Sequence, residues 1–89
     1  MNATRETEYN GWKNYQTWNA ALYIDNEEWM YKAAVAYMAR RKALGKVGTY
    51  RGFIVSMGME EDKTPDGVKY LSTRTNLKEL NEKMKEYLS

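Results

Sequence analysis

The chain has no cysteine, no histidine and a single proline among its 89 residues. Without cysteine there is no disulfide and no thiolate metal site, so the usual staple of small secreted domains is missing. Without histidine the chain lacks the side chain that most often acts as general base near neutral pH, and the commonest nitrogen ligand for zinc. Catalysis would have to rest on carboxylates, lysines, tyrosines or serines, and the expectation is that the protein is not an enzyme. No apolar run approaches the roughly 18 residues that a membrane span needs, and the N-terminal stretch MNATRETEYNG has no apolar segment for a signal peptide. A cytoplasmic location, with no membrane partner, is the corresponding expectation. Glycine-rich phosphate loops, nucleophile elbows and metal-ligand spacings are also absent. The acidic groups Asp25, Glu27 and Glu28, and Glu60, Glu61, Asp62 and Asp66, lack the alternating oxygens and sixth-position glycine of a calcium loop. They read as helix caps and turn residues, and no metal or other cofactor is expected.

What the chain does have is rings. It holds three tryptophans and eight tyrosines, and the stretch GWKNYQTWNAALYIDNEEW, residues 11–29, contains all three tryptophans. A domain of this size buries only about 60–65% of its unfolded surface, so each large side chain weighs heavily in its stability. Tyr15 and Trp18, at helical spacing, read as core. Trp12 and Trp29 lie outside that pattern and are candidates for a binding surface, because surplus tryptophan and tyrosine is what protein-binding hot spots use. The net charge is only +2, but the charge is unevenly spread. From Trp29 to Met59 there are six basic residues (Lys32, Arg40, Arg41, Lys42, Lys46 and Arg51) and no acidic one. Such a stripe fits nucleic-acid phosphates or an acidic protein surface. Compensation of a helix dipole accounts for Arg40, Arg41 and Lys42 without any partner.

Periodicity and capping signals give a mainly α reading. Residues 1–10 are polar and read as a flexible N-terminal arm, leaving residues 11–89 as a single helical domain. Asn14 offers a cap to a first helix over 15–24, with Tyr15, Trp18, Ala21 and Leu22 on one face. Asp25 and Glu28 resemble a capping box for a second helix over 26–44, its last turns basic and its end set by Gly45. The short link between the two predicts an N-terminal helical hairpin. In residues 49–58, Tyr50, Phe53, Ile54 and Met57 match the helical spacing better than a strand alternation, which favours a short helix capped by Thr49 and stopped by Gly58. Thr64-Pro65-Asp66-Gly67 is a turn. Asn76, followed by Glu79, opens a last helix with Leu77, Leu80, Met84 and Leu88 on one face and the pairs Glu79–Lys83 and Lys78–Glu82 on its outer side. The predicted fold is a small single-domain bundle of about four helices.

Gly11, Trp12, Asn14, Tyr15, Thr17, Trp18 and Asn19, then Leu22, Ile24, Asp25 and Asn26, resemble the opening motif of a family of small uncharacterised proteins of bacteriophages and other mobile elements. Thr64-Pro65-Asp66-Gly67-Val68-Lys69-Tyr70 and the short helix after it are similar to that family's second half. The resemblance carries no biochemical activity with it. It implies a phage or mobile-element setting, in which small proteins without catalytic machinery often bind a host protein complex and block it, as inhibitors of restriction or of RNA-guided defence do. It also implies that Trp12, Tyr15 and Trp18 form the family's shared core, which moves the partner surface toward the basic stripe.

The functional expectation is therefore a non-enzymatic binding protein that occupies a surface of a host protein complex. The residues expected to carry the contact are Trp12, Trp29, Arg40, Arg41, Lys42, Lys46, Tyr50 and Arg51. The alternative is a small nucleic-acid binder that turns the same stripe toward phosphates. The third reading, a carboxylate-based enzyme, is disfavoured because histidine and cysteine are both missing. An exposed aromatic patch on so small a chain also leaves a homodimer open.

Overall fold

The structure, a computed structural model, describes residues 11–88. The expected arm, residues 1–10, lies outside the described residues. Asn14 is extended, and its side-chain oxygen accepts from the Thr17 backbone N–H at 2.9 Å and from the Thr17 hydroxyl at 2.8 Å. This cap starts α1 (Tyr15–Asn26) at the residue the sequence indicates. Helix α2 (Glu28–Ala43) follows after the single residue Glu27, and the two helices pack on each other. Helix α3 spans Tyr50–Ser56 and α4 spans Leu77–Lys85, which tightens into a 3-10 turn over Glu86–Leu88. Thr49 caps α3 by accepting from the Gly52 N–H, and Asn76 caps α4 by accepting from the Glu79 N–H, both at 3.0 Å. The described residues form a small, mainly α single domain with four α-helices among them. Among the described residues there is no sheet, and Lys63 and Lys69 form an isolated antiparallel bridge.

Helices α2 and α3 end alike. The Gly45 and Lys46 N–H groups donate to the Lys42 and Arg41 carbonyls, and the Gly58 and Met59 N–H groups donate to the Val55 and Ile54 carbonyls. Both are Schellman motifs, which need a left-handed residue where Gly45 (φ 70) and Gly58 (φ 69) stand. The second is closed by an apolar contact position, because Met59 and Ile54 are both buried.

The capping box expected at Asp25 and Glu28 does not form. Helix α1 runs on to Asn26, and the N-cap of α2 is Glu27, which makes no side-chain cap bond. Asp25 is engaged elsewhere: it accepts from the Lys83 ammonium at 2.6 Å and from the Tyr87 hydroxyl at 2.8 Å, tying α1 to α4 and the 3-10 turn. Lys83, expected on the outer side of the last helix, is only 6% exposed, and its ammonium also lies 5.5 Å from the centre of the Tyr87 ring.

The core collects Ile24, Met30, Ala34, Met38, Tyr50, Phe53, Ile54, Leu80 and Met84. Three ring assignments are corrected. On α1 the buried residues are Thr17, Asn19, Ala20, Ala21 and Ile24. Tyr15 is exposed and Trp18 half-buried, their rings 5.6 Å apart. The helix approaches its neighbours through its small residues, and the large rings stay at the edge of the interface. Tyr50, expected at the partner surface, is fully buried, and its hydroxyl donates to the Tyr70 carbonyl at 2.6 Å.

A polar network joins the two stretches on which the family resemblance rests. Asn19 is fully buried on α1. Its carbonyl oxygen accepts from the Thr64 hydroxyl at 2.6 Å and its amide donates to Asp66 at 2.8 Å, while the Tyr23 hydroxyl also donates to Asp66 at 3.1 Å. The Thr17 hydroxyl accepts from the Asn76 N–H at 2.8 Å. The Thr-Pro-Asp-Gly turn and the start of α4 are thereby docked on α1, and every buried polar group among them has a partner, as a low-dielectric interior requires.

Candidate functional site

The C-terminal end of α2 is where the basic stripe becomes a surface. Arg40, Arg41 and Lys42 occupy the last turn, where cations complement the negative end of the helix dipole. The Arg41 Nε donates to the Val47 carbonyl at 3.2 Å and so holds the 44–49 loop back against the helix. Gly48 lies directly on the Met38 sulfur, where a Cβ would collide. The loop therefore hugs the helix, and its apolar side chains are left facing out: Leu44 is 67% exposed and Val47 74%.

Between this loop and the end of the chain runs an open cleft of about 470 Å³. Met38, Val47 and Leu88 supply its apolar surface, and Lys42, Lys46 and Lys85 stand around it. Lys85 makes an exposed ion pair with Glu82 at 3.1 Å. An exposed pair of this kind contributes little and leaves the ammonium available to a competing carboxylate. Three cations around an apolar floor suit a ligand that combines negative charge with apolar side chains. Neither feature alone distinguishes this place from ordinary surface, whereas the combination does.

The eight residues expected at the partner surface divide as follows. Lys42 and Lys46 line this cleft, and Arg41 braces its wall. Arg40 is exposed in the same helical turn, and Arg51 is exposed on α3 without lining the cleft. Tyr50 is in the core. Trp29, 52% exposed, lines a different cleft of about 550 Å³ with Glu27, Met57, Asp62 and Tyr70. Trp12 packs partly against the core and lines a third of about 420 Å³ beside Lys78, Glu79 and Glu82. Sequence reasoning missed Lys85, Leu88 and the outward turn of Val47. Lys85 and Leu88 lie 34 and 37 residues beyond Arg51, the last cation of the stripe, and only the packing of the 3-10 turn against α2 brings them to it.

Two tyrosine hydroxyls serve the fold as hydrogen-bond donors. Burial pushes the Tyr50 phenol up from its ordinary value. Burial also pushes the Tyr87 phenol up, and its hydrogen bond to Asp25 adds to the effect. Both therefore stay neutral hydrogen-bond donors. Among the described residues, no group of three or more carboxylates converges as a metal site.

No curated protein and no solved structure matches the chain. A family model does, over residues 5–89. On that match, which takes in α1, the Thr-Pro-Asp-Gly turn docked on it and the cleft-forming helices, the chain belongs to a family of unknown function (DUF7249).

Proposed function

We propose that the protein is a non-enzymatic binding module that docks on an acidic, apolar-bearing segment of another protein through the cleft between the end of α2 and the end of the chain. One observation carries this reading: Lys42, Lys46 and Lys85 surround the apolar floor made by Met38, Val47 and Leu88. A partner's leucine- or phenylalanine-like side chain would fill the cleft, and its carboxylates would meet the three ammonium groups. Desolvated apolar contact would supply affinity, and the charges would supply steering and register. The resemblance of the opening Gly11–Asn19 motif to phage and mobile-element proteins favours a host protein complex as the partner. Occupation of its surface would block or modulate that complex in the host cytoplasm, as an anti-defence inhibitor does.

A second reading, a nucleic-acid binder, draws on the six cations and no acids between Trp29 and Met59. It leaves the apolar floor of the cleft without a role. Titration of the isotope-labelled protein distinguishes the two. The acidic peptide acetyl-Leu-Glu-Glu-Leu-amide is expected to move the backbone amide signals of Val47, Gly48 and Leu88, and Lys42→Glu/Lys46→Glu is expected to abolish the shifts. Binding of a short duplex DNA, with affinity falling steeply and linearly in log salt while the peptide moves nothing, would replace the protein-docking reading with the nucleic-acid one.

A further inference from the structure

The cleft beside Trp29 differs in kind from the one just described. It lies at the other end of α2, about 20 Å away along the axis between residues 29 and 42 at 1.5 Å per residue. Its apolar surface comes from Trp29, Met57 and Met59, and its charge comes chiefly from Glu27 and Asp62. Lys63 also lies on the rim, so the cleft carries two carboxylates against one ammonium. The nearby acids Glu28 and Glu61 are paired with Lys32 and Lys69. Glu27 and Asp62 have no side-chain partner among the described residues.

A second observation points into the same cleft. Tyr70 is only 3% exposed and lines it, yet its hydroxyl has no hydrogen-bond partner among the described residues. Its backbone is fully used, since the carbonyl accepts from Tyr50 and the N–H donates to the Asp62 carbonyl. Burial pushes the Tyr70 phenol up, and the Glu27 and Asp62 carboxylates push it further. Both negative charges therefore act at the point where this unpartnered hydroxyl sits. The ring is buried and the unpartnered hydroxyl is still reached by solvent, so its oxygen is free to accept from a donor that enters the cleft. An indole face half open to solvent, two unpaired carboxylates and a hydroxyl oxygen together match one chemistry, a side-chain cation.

We propose that this cleft is a second docking surface, which takes an arginine- or lysine-bearing segment of a partner protein, its cation held by Glu27, Asp62 and the Tyr70 oxygen beside the Trp29 ring. The methionines suit a segment more than a small free cation, because Met57 is exposed and offers an adaptable apolar contact to a neighbouring side chain. The occupant is a foreign segment: the lysine cluster of this chain stands at the opposite end of α2. A contact between copies would therefore be heterologous and would build rings or filaments, which dilution of the protein alone detects.

The test is a titration of the isotope-labelled protein with acetyl-Leu-Arg-Arg-Leu-amide. It is read at the Trp29 indole N–H, which the Trp29→Phe variant assigns. The expected result is a saturable shift of the Trp29 indole and of the Asp62 and Tyr70 amides, with the Val47, Gly48 and Leu88 signals unmoved. Glu27→Gln/Asp62→Asn, which leaves the fold intact because neither side chain makes a bond in it, is expected to weaken binding by about fivefold or more. An unmoved indole, or an affinity unchanged in the double variant, would overturn the proposal. So would an equal response to guanidinium ion at the same concentration, which would reduce the site to a small-cation subsite. Signals that move on dilution of the protein alone would also overturn it, by identifying the occupant as a second copy.

Discussion

At the scale of single residues, the polar groups inside the fold depend on partners far away in sequence. Lys83 is nearly buried and paired with Asp25, which also receives the Tyr87 hydroxyl. Removing the carboxylate charge leaves a buried ammonium without its counter-charge, whereas replacing the lysine with an apolar side chain of similar length removes the problem altogether. Asp25→Asn is therefore expected to destabilise by about 1–2 kcal/mol, the lower part of the usual range because Asp25 is half exposed. Lys83→Met is expected to cost less. Urea denaturation of the two variants, fitted with a common slope, checks the order. Asn19→Ala is expected to cost about 2 kcal/mol, because it orphans the buried Thr64 hydroxyl and releases Asp66. That corresponds to a fall in melting temperature of roughly 8–16 °C for a domain of this length.

The tyrosines set the alkaline limit. Tyr50, Tyr70 and Tyr87 have phenol values raised in the folded chain, each first by burial. The unfolded chain releases these protons at about pH 10, before the folded one does. It then binds fewer protons than the native state, and stability falls as pH rises. The contribution is fully present below about pH 10 and is lost progressively above it. Denaturant midpoints measured from about pH 8 to pH 11 are expected to be level first and then to drop, with the phenolate absorbance that Tyr50→Phe removes appearing together with unfolding. Phenolate absorbance from Tyr50 in a still-folded chain would contradict this.

At the scale of elements, the end signals were readable and the helix faces less so. The 49–58 segment is a helix because Thr49 supplies a cap and Gly58 the left-handed residue that a Schellman ending needs. Both residues are visible in the sequence before any packing is known. Gly58→Ala is accordingly expected to destabilise by about 1 kcal/mol, a loss that thermal unfolding would register. The face of α1 was harder to read, because burial follows fit and not ring size. Ala20 and Ala21 let α1 approach its neighbours, and Tyr15 and Trp18 remain at the margin. Asp25 and Lys83 were assigned by local rules, a capping box and an i,i+4 pair. A partner 58 residues away in sequence outweighs both, which no spacing pattern can reveal. The candidate site was half legible for the same reason. Lys42 and Lys46 stand out as part of a one-sign stripe, while Lys85 and Leu88 join them only through tertiary packing.

At the scale of the whole molecule, α2 separates two kinds of surface. Its C-terminal end presents lysines around an apolar cleft, and its N-terminal end presents a tryptophan with carboxylates. The acids at Glu27 and Glu28 and the cations Arg40, Arg41 and Lys42 follow the sense of the helix dipole, and on the proposed reading each end suits a different partner chemistry. A chain that meets its partner through the basic end should lose that partner when the sign of the rim is reversed and keep it when other surface lysines are changed. The most direct measurement is capture from bacterial host lysate by the wild type, by Lys42→Glu/Lys46→Glu and by a Lys13→Glu/Lys78→Glu control, each shown by circular dichroism to be folded. The account predicts a protein retained in stoichiometric amount by the wild type and the control and lost from the cleft variant. Retention of the same protein by the cleft variant, or recovery of none by the wild type, would contradict it.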